Sequence, residues 1–299
     1  METNIIIACP ACEWQPDGEA YWRCSCGFNW NTFDTAGKCP ACKKQWEITY
    51  CPGCGKTTPH KEWYHDKSMP LENTDSPEKI VLKQKKRALE NRLATLGIKT
   101  RRVSYLPYLD HSTEQFQTPY EAGCRMLILN AIAYAVHNLH DRQKLVAWFK
   151  RENIWDRVSP EEKDFFIEAA PPKEELIDLS WRIEGALTLG WALNLLDTLH
   201  EINRNETDEE MDRFTSSIPG LGAPIQQFLH NLSFRDLGEV YIENLVNETA
   251  TGYFRDLFFY GNKDETTINR MSSYERHKTL NWLRQFSDIS TWDDTDTST

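Results

Sequence analysis

The sequence of 299 residues has no long uncharged apolar run, no basic excess and none of the short motifs that mark common catalytic chemistry. Each absence excludes a class. The most apolar stretch, residues 176–202, carries Asp178, Arg182, Glu184 and Asp197, so no membrane span is expected. The opening Met1-Glu2-Thr3-Asn4-Ile5-Ile6-Ile7 has no basic n-region and too short an apolar run for a signal peptide. A formal net charge of -11 sets the whole chain against nucleic acid and anionic membranes. A nucleotide-binding loop, a nucleophile elbow and the His-Glu-x-x-His metal motif are all missing. The expectation is a soluble, cytoplasmic protein with no membrane partner. Its hydrophobic content of 40 %, with eleven Trp and thirteen Phe, is enough for a real core.

The cysteines carry the clearest signal. Of nine, eight lie between Cys9 and Cys54 in close pairs: Cys9 with Cys12, Cys24 with Cys26, Cys39 with Cys42, and Cys51 with Cys54. Without an export signal, close pairs read as metal ligands and not as disulfides. A knuckle of this spacing turns both thiolates toward one ion, and two knuckles complete a zinc tetrahedron. Two structural Zn2+ sites are therefore expected, with iron in a rubredoxin-like setting as the rival. Sequential pairing would join Cys9, Cys12, Cys24 and Cys26, then Cys39, Cys42, Cys51 and Cys54. Nested and crossed pairings remain open. The sequential one is favoured because residues 43–50 suit a short hairpin between its knuckles. Gly27 and Gly55 follow their knuckles, where a tight turn asks for positive φ.

Tyr21-Trp22, Phe28 to Phe33 and Trp46 read as short strands whose rings form a minimal core around the metals, with an exposed stacking platform as the alternative. His60 and His65 lie near the last knuckle. Eight thiolates already fill two closed sites, so neither is expected to be a ligand.

Residues 1–66 are thus read as a small β-rich double zinc-ribbon domain, 67–75 as a linker, and 76–299 as an all-α helical domain. A basic run, Lys79, Lys83, Lys85, Lys86, Arg87 and Arg92, reads as a solvated helix face. Capping boxes at Thr118–Glu121, Ser159–Glu162, Thr207–Glu210 and Ser272–Glu275 mark helix starts. Helices are expected near 77–96, 119–138, 142–151, 160–169, 173–202, 208–216, 223–231, 234–258 and 273–286. The helix over 173–202 should be buried nearly all round, with Ser180, Glu184 and Thr188 on one stripe. Its charges need partners. Arg182 and Glu184, with Glu275, Arg276, His277 and Asn281 and the pair Asp293 and Asp294, form a candidate acid/base cluster. A structural ion-pair network is the preferred reading of the same residues.

At these residues the chain resembles a known family. Ser180-Trp181-Arg182-Ile183-Glu184, Trp191-Ala192-Leu193, Tyr274-Glu275-Arg276-His277, Leu280-Asn281-Trp282-Leu283 and Trp292-Asp293-Asp294, in this order, are similar to bacterial domain-of-unknown-function family 4272, over roughly Lys85 to Thr299. Glu121 and Arg125 fit the helix that the family carries upstream. Trp30-Asn31-Thr32-Phe33 and Pro59-His60 with Trp63-Tyr64-His65 resemble double zinc-ribbon segments. The resemblance implies a bacterial, helical, intracellular protein and brings no established activity. Ser290-Thr291 before Trp292 departs from its pattern. Three functions compete: a protein-binding or adaptor factor, which is favoured; an enzyme using the polar cluster; and a nucleic-acid binder using the aromatic module and the basic run.

Overall fold

The computed structural model describes residues 5–66, 76–98, 103, 106–261 and 263–298. The expected linker, 67–75, lies outside the described residues. Two compact units divide the chain within α1 (Pro77–Thr95), between Glu90 and Asn91. One holds the described residues through Glu90 and those of 103–110; the other holds residues 91–98 and those from 111 on.

The first unit is strand-rich. It contains β1 (Ile5–Ile7), β2 (Trp22–Arg23), β3 (Asn29–Trp30), β4 (Ile48–Tyr50), β5 (Thr57–Pro59) and β6 (Tyr64–Asp66). They form three antiparallel pairs, β1 with β6, β2 with β3, and β4 with β5. Two-stranded ladders of this size are marginal alone. A common core supports them: Trp14, Trp22, Trp30 and Trp63 are buried with the sulfur-bearing Cys9, Cys24, Cys39 and Cys51. Phe33 packs edge-on to Trp22 and stacks on His60. Trp22, Trp30 and Phe33 are thus core, as expected, while Tyr21 and Phe28 are exposed. The favoured hairpin over 43–50 does not form. Strand β4 pairs instead with β5, across the Cys51–Cys54 knuckle.

The basic run belongs partly to this unit and is not simply solvated. Lys83 and Arg87 bind the Glu13 carboxylate at 3.2 and 2.7 Å, and Lys86, buried, donates to the Gly53 carbonyl at 2.9 Å.

The second unit is helical: α2 (Pro119–His137), α3 (Arg142–Arg151), α4 (Pro160–Ile167), α5 (Lys173–Ser180), α6 (Arg182–Ala192), α7 (Asp208–Ser217), α8 (Gln226–His230), α9 (Leu237–Tyr260) and α10 (Arg270–Leu283). Its centre is α6 packed on α2 and α10, with α10 also against α9. Cys124 is fully buried in α2, and burial pushes its thiol up to about 12, as suits a small apolar filler. No helix among the described residues is long and apolar enough to cross a membrane.

Ser159 and Thr207 complete their capping boxes. Thr118 caps α2, but Glu121 turns its carboxylate to Arg157 at 2.8 Å. Ser272 is no cap: α10 starts earlier, because Asn269 accepts from the Met271 and Ser272 N–H groups. Asn269→Ala should therefore cost about 1 kcal/mol, measured by urea unfolding; an unchanged midpoint would contradict the cap.

The single helix expected over 173–202 is two. A tightened turn at Trp181 (φ -71°, ψ -9°) separates them, with the Trp181 N–H on the Asp178 carbonyl and the Glu184 N–H on the Trp181 carbonyl, and the Ser180 hydroxyl donates to the Ile177 carbonyl. Helix α5 is also far from sealed, with Ile177 52 % exposed. Helix α6 stops at Ala192, and Asn194, just past its cap Leu193, takes φ +60°. The Asn194 N–H then reaches the Trp191 carbonyl and the Leu195 N–H reaches Gly190, the pair of bonds of a Schellman stop.

Candidate metal centres and a sealed polar network

Four knuckles share one local design. The N–H of the residue directly after each second cysteine returns to the carbonyl of the first: Glu13 to Cys9 at 2.8 Å, Gly27 to Cys24 at 2.8 Å, Lys43 to Cys39 at 3.0 Å and Gly55 to Cys51 at 2.9 Å. All four donors have positive φ: +61°, +90°, +62° and +69°. Only the glycines among them were legible as such, since Glu13 and Lys43 adopt this conformation without the residue that favours it.

The cysteines assemble into two tetrads, and their pairing is nested. Cys9, Cys12, Cys51 and Cys54 form an outer tetrad, and Cys24, Cys26, Cys39 and Cys42 an inner one, each with its four sulfurs within 4.8 Å of one another. This corrects the sequential pairing. Hairpins here bend around single knuckles and do not join two, so the partner of each knuckle is set by long-range pairing. Strand β1 pairs with β6, with Ile6 opposite His65, and brings the two ends of the unit together. The first knuckle then meets the last, leaving the middle two for each other.

Both tetrads can hold a metal ion. Hydrogen bonds from Cys12 and Cys51 pull the Cys9 thiol down to about 4 against burial, and the Ala11 N–H adds to them at 3.4 Å. In the inner tetrad the Cys26 N–H leads in pulling Cys24 down to about 6. In each tetrad one thiol is thus drawn toward the thiolate, the form that binds metal, while the neighbouring sulfurs push Cys51 and Cys42 up. The histidines are engaged elsewhere. His60 lies between Thr49 Oγ1 at 2.6 Å and the Tyr64 hydroxyl at 3.0 Å, and His65 bonds to the Ala8 carbonyl at 3.0 Å.

The polar motif of the helical unit closes on itself. Glu184 of α6 is fully buried; it accepts from Arg276 Nε at 3.0 Å and Ser272 Oγ at 3.0 Å, with His200 Nε2 at 3.1 Å. Burial opposes its ionisation, but the His200 bond and the Arg276 charge outweigh it and hold the carboxyl at about 2. Arg276, also fully buried, donates to the His200 carbonyl at 2.7 Å and has Glu243 of α9 at 3.8 Å. Glu243 in turn pairs with Arg92. Arg182 pairs with Glu275, so Glu275 serves an ion pair and not the expected capping box. His277 and Asn281 form a second chain, in which Asn281 bonds to His277 Nε2 at 3.0 Å and accepts from Asn244 at 2.8 Å.

The candidate cluster is thus brought together in part and sealed from solvent. Glu184, Glu275, Arg276, His277 and Asn281 are all buried. Asp293 and Asp294 lie apart. Asp293 accepts from the Glu161 N–H at the start of α4 at 3.1 Å, and Asp294 from Thr291 at 2.7 Å. These two line a cleft of about 730 Å³ with Glu121, Arg125 and Trp292, which none of the buried five reaches. His200, Glu243 and Asn244 were missed in the sequence, where nothing marks them as neighbours of Arg276 and Asn281. Glu184, His200 and Glu206 are close enough to share an ion, but the Arg276 guanidinium bonded to both Glu184 and His200 opposes a second cation there.

His277 gives a pH prediction. Burial first, then the charges of Arg284 and Arg255, holds its folded pKa at about 3, below the ordinary 6.5. Between those values the unfolded chain binds a proton that the folded one refuses, so its contribution to stability falls as pH falls from 6.5 toward 3, by about 1.4 kcal/mol per pH unit. His277→Gln should flatten the fall in urea stability between pH 6.5 and 5; an unchanged slope would contradict a neutral buried ring.

Comparison with known proteins follows this division. A family model described as Domain of unknown function (DUF4272) matches residues 85–295. No curated protein and no solved structure matches the chain. The matched span contains Arg125, the Glu184–Arg276 network and the Trp292-Asp293-Asp294 segment, and the cysteine tetrads precede it. With well over half of its length matched, the chain belongs to the DUF4272 family, and it carries a cysteine module compatible with a zinc ribbon ahead of the family domain.

Proposed function

We propose that this protein is a protein-binding factor in which two structural zinc ions stiffen a recognition surface. The observation that carries the reading is the closure of both tetrads: four sulfurs around each position leave no place for water or substrate. Zinc suits such a site because it favours four thiolates in a tetrahedron and has no redox chemistry of its own. Elemental analysis should find two zinc ions per chain; iron, or fewer than two ions, would count against it.

The surface is a cleft of about 300 Å³ on the module, lined by Tyr21, Trp22, Trp30, Trp46, Ile48 and Tyr50. Tyr21, Ile48 and Tyr50 stand exposed at its rim. Rigid aromatic rims of this kind suit an apolar side chain of a partner protein. The basic residues Lys83, Lys86, Arg87 and Arg92 are engaged with acidic or carbonyl oxygens of this chain, which weighs against their use on phosphate. Capture from native lysate with the full chain should retain a nuclease-resistant protein in stoichiometric amount, and Ile48→Asp with Tyr50→Asp should lose it while keeping both ions. Retention only of nuclease-sensitive material would defeat the proposal.

A further inference from the structure

The two tetrads are chemically unequal. In each knuckle the first cysteine is buried, and the difference lies in the second. Cys12 and Cys54 of the outer tetrad are half-buried, whereas Cys26 and Cys42 of the inner tetrad are exposed. The outer tetrad also has a brace, since buried Lys86 donates to Gly53 within the Cys51–Cys54 loop. Around the inner one, Lys43 and Lys44 donate to Pro40 and Ser25, and both are exposed bonds. Each exposed inner sulfur has a buried sulfur of the facing knuckle beside it: Cys26 and Cys39 at 3.7 Å, Cys42 and Cys24 at 3.5 Å.

We propose that the inner tetrad is an oxidant-responsive zinc site and the outer one a permanent support, an inference that rests on the two-zinc reading above. Solvent exposure selects which cysteine of a tetrad meets a peroxide first. The exposed thiolate of Cys26 or Cys42 attacks one oxygen of hydrogen peroxide, breaking the O–O bond and giving a sulfenic acid and hydroxide. The buried partner, Cys39 or Cys24, then attacks that sulfur; the S–S bond forms and a second hydroxide leaves. Two thiolates lose two electrons, the peroxide gains them, and two protons from solvent turn the hydroxides to water. With two of its four ligands gone, the ion leaves. One disulfide then replaces four metal bonds between the β2–β3 knuckle and the Cys39–Cys42 turn, drawing one sulfur pair from 3.5 or 3.7 Å to bonding distance and leaving the other two cysteines unheld, so the Trp22 and Trp30 wall of the cleft shifts. Oxidation thereby alters the recognition surface while the outer tetrad and the new disulfide hold the module together.

The test uses the full chain, its zinc content first fixed by native mass spectrometry. Hydrogen peroxide is added, zinc release is followed with a chromophoric chelator, and the cysteines are mapped by peptide mass. One ion should leave on the order of tenfold faster than the other, as the difference in thiol exposure requires. The first disulfide should be Cys26 to Cys39 or Cys24 to Cys42, with Cys9, Cys12, Cys51 and Cys54 still reduced. Thiol reductant with added zinc should restore the second ion. Equal release of both ions, or first oxidation in the outer tetrad, would overturn the proposal while leaving the two-zinc reading intact. A chain carrying no zinc before peroxide would overturn the two-zinc reading itself.

Discussion

Glu184→Ala should destabilise the helical unit by about 3–5 kcal/mol, the range for breaking a buried ion pair by removing one partner. The reason is what it leaves behind. Arg276 is fully buried, and without Glu184 its nearest anion is Glu243 at 3.8 Å, itself shared with Arg92. The Ser272 hydroxyl also loses its acceptor. The folded carboxyl at about 2 lies below the ordinary 4.5. The group therefore contributes fully above 4.5, and its contribution is lost as pH falls through that value toward 2, about 3 kcal/mol in all. Replacing the pair together, Glu184→Leu with Arg276→Met, should cost less than the sum of the single changes, because no charge is then stranded. Urea unfolding of the four proteins of this cycle checks it. Additive losses would mean that the two side chains are not coupled, and the sealed network would be wrong.

Stripping the proposed zinc ions from the two tetrads should have the second large effect. The module's core is four tryptophans, one phenylalanine and the buried sulfurs, on strands of two or three residues. A core of this size supplies only a few kcal/mol. A structural zinc site contributes on the order of 10 kcal/mol to the fold that it organises. A strong chelator at neutral pH should therefore abolish amide-exchange protection across residues 5–66 and the near-ultraviolet signal of Trp14, Trp22, Trp30 and Trp63. Helices α2, α6 and α10 should keep theirs. A module that stays protected without metal would contradict a metal-dependent fold.

The sequence was most legible where the interaction is local. Ser159 and Thr207 announce their helices because a capping box closes within four residues. The knuckles are equally local, so the ligand pairs stand out from spacing alone. Legibility fails where distant segments decide. Asn269, in a loop, takes the start of α10 from Ser272, whose hydroxyl is drawn instead to Glu184. The tightened turn at Trp181 and the left-handed Asn194 divide what looks like one apolar helix. The partners of each knuckle depend on the β1–β6 ladder, across almost the whole module, which no spacing within the cysteine pairs reveals. The cluster around Glu184 was visible as a set of charged residues, but its third side, Arg92 and Glu243, comes from helices far apart in the chain.

Native mass spectrometry of two double variants tests the proposed pair of closed zinc sites with nested ligands most directly. In Cys12→Ser with Cys51→Ser both changes fall in the outer tetrad, so one zinc ion should remain. In Cys12→Ser with Cys26→Ser each tetrad loses a ligand, and both ions should be lost or strongly weakened. The opposite pattern, none in the first and one in the second, would contradict the nested arrangement and with it the fold of the module.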